Sequence, residues 1–196
     1  MRQQSGIPDQ AKVIVSIRAL MAKYNHHLIL EAFAIALPRF IYPTFLLFKI
    51  YNLITPTYMN ELIKKAKQLK IEQFIRWLDD VPYNKMPEVY SIADLIVNFP
   101  SIDAFPVTFL EAAACECPLV TCKLPAYEGT FATRYFHIVD EGNIEALANA
   151  FVEEINGKTG ATPKMLSEAR QWICVNYDET NSMNRLIDIY DALLRR

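Results

Sequence analysis

Two carboxylates, Asp103 and Glu111, stand eight positions apart across a segment that reads as strand, loop and helix start. The run Asp94-Leu-Ile-Val-Asn-Phe99 is apolar, a short loop follows, Pro106 sits where a helix would begin, and the segment to Ala114 is rich in alanine. The first turn of a helix has unpaired N–H groups and the positive end of the helix dipole, so this geometry suits an anion such as phosphate. Pro106 fits a first helical position, because its missing N–H would have no partner there anyway. A carboxylate beside a bound phosphate is repelled. The chemistry open to Asp103 and Glu111 is therefore acceptance of hydrogen bonds from sugar hydroxyls. Taken alone, such an acid pair is common on loops and helix surfaces. A second set of charges, Arg18 and Lys23, follows an earlier apolar run. Arg as a fork and Lys as a point charge suit a diphosphate, although two exposed cations by themselves read more simply as solvated surface charges.

Other candidates are weaker. Arg76 and Trp77 lie near the end of an apolar run and could border a nucleobase, with core packing an equal reading for Trp77. Glu128 lies beyond another strand end and could face the same cleft. His26, His27 and His137 are potential acid-base groups, but none has a partner visible in the sequence, and packing or surface roles fit them better. The four cysteines, 115, 117, 122 and 174, lack zinc-site spacing and read as reduced thiols in a cytoplasmic protein. No metal site is expected.

These residues need elements to hold them. Apolar β-like runs at 12–17, 44–50, 73–78, 94–99, 119–122 and 136–139 alternate with helical patterns at 25–37, 55–69, 84–92, 107–115 and 144–155. Continuous apolar strands alternating with helices predict one doubly wound, Rossmann-like parallel sheet of about six strands, covered on both faces. Ligands of such sheets bind at the carboxyl ends of the strands, where Arg18 and Asp103 fall. The loop from Gly157 to Pro163 is followed by two predicted helices, 164–175 and 178–194, the second with Met183, Leu186, Ile187 and Tyr190 on one face. The expected organisation is a linker at 1–11, a binding domain at 12–160 and C-terminal helices at 161–196.

At 196 residues the chain is long enough for one well-cored domain. A net charge of −2 gives no electrostatic reason to expect nucleic acid. The apolar stretch from Leu28 to Ile54 is broken by Glu31, Pro38, Arg39, Pro43 and Lys49, so a buried helix and strand fit it better than a membrane span. The polar start Met1-Arg2-Gln3-Gln4-Ser5-Gly6 does not read as a signal peptide. No G-x-G-x-x-G follows any strand, which argues against a dinucleotide site.

The spacing of Asp103 and Glu111, with Glu111-Ala-Ala-Ala-Cys-Glu-Cys-Pro-Leu-Val-Thr121 after it, resembles the acidic-x7-acidic signature and "EAMACGxPVV" of the group 1 (family 4) retaining glycosyltransferases of the GT-B fold. Ser16-Ile-Arg18 with Lys23 and Leu28-Ile-Leu-Glu-Ala-Phe33 is similar to that family's "GRL…KG…LL.AF", one residue longer between Lys23 and Phe33. Val89-Tyr-Ser-Ile-Ala-Asp94, Val139 to Ala150 and Arg185 to Tyr190 resemble further family segments in the right order. The family usually has Glu where Asp103 stands, and often Gly at Ile17, Tyr24, Ala104 and Glu116.

The resemblance implies the C-terminal, donor-binding half of a two-domain enzyme that transfers a hexose from a nucleoside diphosphate sugar, with retention, to an acceptor hydroxyl. It implies that Arg18 and Lys23 meet the diphosphate, that Glu111 holds the ribose and that Asp103 stands near the sugar. Backbone N–H groups in the segment Ala104, Phe105, Pro106, Val107 and Thr108 would complete the diphosphate site. The acceptor domain would be missing, so the chain reads as an excised domain, inactive alone, with its last helix directed toward the absent half. Expected partners are the nucleotide sugar and that domain, with no cofactor, no metal and no nucleic acid. Family habit points to lipopolysaccharide or capsular polysaccharide synthesis in the cytoplasm, with room for peripheral attachment of the full enzyme to the inner membrane. Two rivals stand beside this reading: a divergent, non-catalytic domain acting as a binding or assembly module, and a related sugar-nucleotide epimerase.

Overall fold

The computed structural model of the protein describes residues 2–50, 56–79, 81–157 and 160–195. The helix start expected at Thr55, and Lys158 and Thr159 of the expected loop, lie outside them. Six strands, β1 (Lys12–Ser16), β2 (Thr44–Lys49), β3 (Ile75–Leu78), β4 (Leu95–Asn98), β5 (Leu119–Cys122) and β6 (His137–Val139), form one sheet in the order β3-β2-β1-β4-β5-β6. All five pairings are parallel, with Ile14 opposite Leu46 on one side and Leu95 on the other. The four central strands are buried almost without a break, which a parallel sheet requires because helices cover both faces.

The helices are α1 (His26–Ala36), α2 (Pro56–Gln68), α3 (Met86–Ile92), α4 (Val107–Ala114), α5 (Ala132–Tyr135), α6 (Ile144–Asn156), α7 (Pro163–Asn176) and α8 (Glu179–Leu194). α1 packs on both α2 and α6, while α4 packs on α7, which in turn meets α5 and α8. α6 is bounded as its sequence dictates. Asn143 Oδ1 accepts from the Ala146 amide at 3.0 Å at its start, and Gly157 takes a left-handed φ of 67° at its end. The short α5 was not legible as a helix. One turn carries too few residues to show a period, and it is held by the ring contacts of Phe131, Tyr135, Phe136 and Trp172.

The segment expected to be a linker is fastened to the domain. The Arg2 guanidinium donates to the carbonyls of Ala11 (2.7 Å) and Ile92 (3.0 Å) and to Asp94 Oδ2 (3.1 Å), while Arg76 Nε donates to the Ser5 carbonyl at 2.8 Å. Strand order reverses between β1 and β4. β2 and β3 lie to one side of β1, and β5 and β6 lie beyond β4. The loops leaving the carboxyl ends of β1 and β4 part at that point and open a crevice, the general binding position of an open α/β sheet.

Candidate functional site

A cleft of about 460 Å³ occupies this crevice. Ile17, Arg18 and Ala19 line it from the end of β1, and Lys49 from the end of β2. Val81, Tyr83 and Met86 form a wall before and at the start of α3, and Val107, Thr108 and Glu111 face it from α4. A smaller apolar recess of about 280 Å³ shares Tyr83, Met86 and Glu111 with it, and is completed by Pro87, Tyr90 and Cys115 among others. The two spaces adjoin at Tyr83, Met86 and Glu111, so a trough with the cations Arg18 and Lys49 in the larger space continues into apolar walls in the smaller.

Arg18 is positioned by two residues. Its Cζ lies 4.2 Å from the Tyr24 ring centroid, and its Nη2 is 3.2 Å from Asp103 Oδ1 and 3.1 Å from Oδ2. The β1–α1 and β4–α4 loops that carry this pair are tied together, because the Ser101 amide donates to the Lys23 carbonyl at 2.9 Å. Asp103 also accepts from the Tyr127 hydroxyl at 3.1 Å and from the Ala104 amide at 3.0 Å. Burial, followed by the Asp103 charge, holds the Tyr127 phenol above its ordinary pKa.

Helix α4 begins at Val107, where its helical pattern starts, and Pro106 is its extended N-cap (φ −77°, ψ 137°) rather than its first helical residue. Proline offers no side-chain acceptor, and its carbonyl takes the Phe109 amide at 3.0 Å, so the Val107 and Thr108 N–H groups are left for water or a ligand. Glu111 reaches the cleft more than a turn further on, and the Tyr90 hydroxyl donates to its Oε2 at 2.6 Å. That contact fixes one carboxylate oxygen and leaves the other to accept from a ligand.

The structure thus brings Arg18, Asp103 and Glu111 into one neighbourhood with Val107 and Thr108. Phe105 turns away into a ring cluster with Phe109, Phe131 and Tyr177, and the Ala104 amide is already engaged by Asp103. Lys23 is exposed, 5.1 Å from the Tyr24 ring centroid, and stands beside the cleft rather than in its wall. Arg76 and Trp77 are not in the cleft. Arg76 is the second residue of β3, toward the opposite end of the sheet, and donates to the carbonyls of Ser5, Gln73 and Ile75. Trp77 stacks on Phe48 at 5.2 Å, which is the core reading. Glu128 lines a separate opening with Lys123, Leu124 and Tyr127.

Two site residues escaped the sequence. Lys49 is 1% exposed, yet it lines the cleft at the end of β2. Its signal was a charge closing an otherwise apolar strand. Tyr127 comes to Asp103 from a loop 24 positions away, and nothing local marks it. The other candidates are occupied elsewhere. His26 is fully buried among rings and His137 Nδ1 lies 3.1 Å from Glu154 Oε1. All four cysteines are free, with the thiols of Cys117 and Cys122 pushed up to about 12, chiefly by burial. Among the described residues no three His, Cys, Asp or Glu side chains gather as a metal would need, and no helix is long and apolar enough to cross a membrane.

The family profile of glycosyl transferases group 1 matches residues 1–172. A D-inositol 3-phosphate glycosyltransferase of Corynebacterium urealyticum is 24% identical over 98% of this chain and 46% of its own length. Among solved structures, a glycosyltransferase from Rickettsia africae superposes with a TM-score of 0.85 at 18% identity, over 100% of this chain and 51% of that one. The HepE protein of Anabaena in complex with UDP-glucose superposes at 0.81 and 18% identity, over 97% and 51%. The chain therefore spans about half the length of these relatives, and these likenesses repeat its fold. Because the sequence match runs through nearly all of the elements that build the cleft, the chain belongs to the group 1 glycosyltransferase family.

Proposed function

We propose that this chain is the donor-binding half of a retaining glycosyltransferase, taking a nucleoside diphosphate sugar in the cleft between the ends of β1 and β4. The observation that carries this reading is the presence of Arg18, Glu111 and the open first turn of α4 around one trough. Glu111, oriented by Tyr90, is placed to accept from ribose hydroxyls. Apolar walls at Tyr83, Met86 and Pro87 suit the faces of a base. Arg18 and the α4 N-terminus bear on the diphosphate, where negative charge grows as the glycosidic bond breaks, and Lys23 adds charge from the rim. Asp103 belongs to the site through its pair with Arg18. This cationic set neutralises the leaving group without calling for a metal.

In this reading the acceptor hydroxyl is presented by a domain outside this chain, and the bare face of α8 packs toward it. The hexose, the acceptor and a place in cytoplasmic assembly of lipopolysaccharide or capsular polysaccharide are the finer parts of the same proposal. Neighbours of the fold bind UDP and UDP-glucose, which makes uridine nucleotides the first to try. Calorimetric titration with UDP, GDP, ADP and their sugars tests it. One base series should bind, Arg18→Ala should lose most of that binding and Glu111→Ala should weaken it about tenfold, the worth of one charge-assisted hydrogen bond. If no nucleotide binds, or both variants bind like the parent, the reading fails.

A further inference from the structure

Resting on that reading, the geometry points to Asp103 and Tyr127 as positioning residues for Arg18. They set the guanidinium in place for the diphosphate, and Asp103 acts through Arg18 instead of through the donor sugar.

The argument is one of acceptor capacity. An ionised carboxylate offers about four lone-pair sites. Three of those of Asp103 already meet hydrogen bonds from the protein, and the Arg18 cation stands against the remaining side of Oδ2. Oδ1 accepts from the Ala104 amide at 3.0 Å and from Arg18 Nη2 at 3.2 Å, Oδ2 accepts from the Tyr127 hydroxyl at 3.1 Å, and the same Nη2 lies 3.1 Å from Oδ2 in the ion pair. A sugar hydroxyl would have to displace one of them or crowd the guanidinium at Oδ2. The pair is also largely dry, with side-chain exposures of 15% for Arg18 and 12% for Asp103, so solvent does little to loosen it. Arg18, in contrast, engages Asp103 through Nη2 alone. Its fork keeps the Nη1 and Nε donors for an anion, with the ring of Tyr24 beside the guanidinium.

Tyr127 is the fixed end of the chain of contacts. It is 1% exposed and its ring meets Phe109 edge-on at 4.9 Å, so the phenol is located by the same helix that presents the anion site. Asn98 Nδ2, at the end of β4, approaches its hydroxyl at 3.5 Å from below. The order of support is therefore sheet and α4, then Tyr127, then Asp103, then Arg18. A shorter acid suits this task. Asp103 keeps its carboxylate close to its own loop, where Tyr127 can reach it.

The test is calorimetric titration of the chain and its variants with UDP against UDP-glucose and GDP against GDP-mannose, together with the backbone-independent order parameter of Arg18 Nε by NMR. Asp103→Asn should weaken the free diphosphate and the sugar nucleotide by the same factor, about tenfold, and Tyr127→Phe by about threefold. Neither should weaken binding further when added to Arg18→Ala, because each acts through the same guanidinium. In the ligand-free chain both substitutions should lower the Arg18 order parameter. A loss confined to the sugar nucleotide would make Asp103 a sugar ligand and overturn the inference. So would tighter binding of UDP by Asp103→Asn, which would mean that Asp103 competes for Arg18. A parent chain that binds no nucleotide counts against the donor-binding reading alone, since the order parameter then still decides this inference. An Arg18 order parameter unmoved by both substitutions rejects it.

Discussion

His26 opens α1 at full burial, with the rings of Tyr24, Phe48 and Tyr58 at centroid distances of 6.3, 5.6 and 6.1 Å. Burial lowers its pKa from 6.5 to about 4, partly opposed by the backbone at Arg18 and Met21. The neutral form is the folded form. The unfolded chain takes up a proton below about pH 6.5 and the folded chain only near pH 4, so this histidine lowers stability progressively as pH falls through that window. The loss should approach about 3 kcal/mol at the acid end. His137 works in the opposite sense. Its hydrogen bond to Glu154 raises its pKa, so its stabilisation is complete below the unfolded value and fades as pH rises through the folded one. Urea unfolding of the parent and of His26→Phe from pH 7.5 to 4.5 separates the two. The variant should lose the steep acid decline. A decline of equal slope in both would assign it to other groups.

At the scale of one element, α4 carries the site and shows how a helix is terminated without glycine at its end. The chain turns left-handed at Glu116 (φ 52°), a conformation that glycine adopts far more readily than a residue with a side chain. The Cys117 amide returns to the Ala112 carbonyl at 2.9 Å and Glu116 N to Ala113 O at 3.1 Å, so the glycine-type termination is made with glutamate in its place. A side chain in that region is strained by about 1–2 kcal/mol, part of which glycine gives back as unfolded-state entropy. The ion pair of Glu116 with Arg170 is 3.6 Å long and exposed, and adds little. Glu116→Gly should therefore raise stability by about 1 kcal/mol without moving α4, as read from the denaturation midpoint. A fall would show that the Arg170 contact outweighs the strain.

At the scale of the molecule, α8 is the unsatisfied part. None of its residues is buried, and Met183, Leu186, Ile187, Tyr190 and Leu194 expose one apolar side. Such a face is an association surface. α7 belongs to the core through Ala169 and Ile173, and Tyr177 stacks on Phe105. Ending the chain after Tyr177 should leave the unfolding midpoint unchanged and abolish any concentration-dependent self-association, as measured by sedimentation velocity. A large drop in midpoint would mean that α8 stabilises the domain despite its exposure.

What the sequence determined by itself was everything written in local pattern. Apolar runs and helical periods yielded six strands and all the longer helices, and their alternation required a parallel sheet. Arg18, Glu111 and the start of α4 were legible because strand ends and helix starts are local signals, and the sheet rule says where they meet. Tertiary structure alone decided the rest. Arg76 and Trp77 look alike as strand residues near a terminus, yet one closes on the N-terminal segment and the other packs on Phe48, since direction along and across the sheet is set by neighbours. Lys49 enters the cleft because the β1–β2 register, ending at Ser16 opposite Phe48, leaves it at the carboxyl end of the sheet. Tyr127 reaches Asp103 only after β4 and β5 pair and α4 crosses above them. Distance along the chain carries no information about such contacts, because the free energy that makes them is spread over the packing of the whole domain.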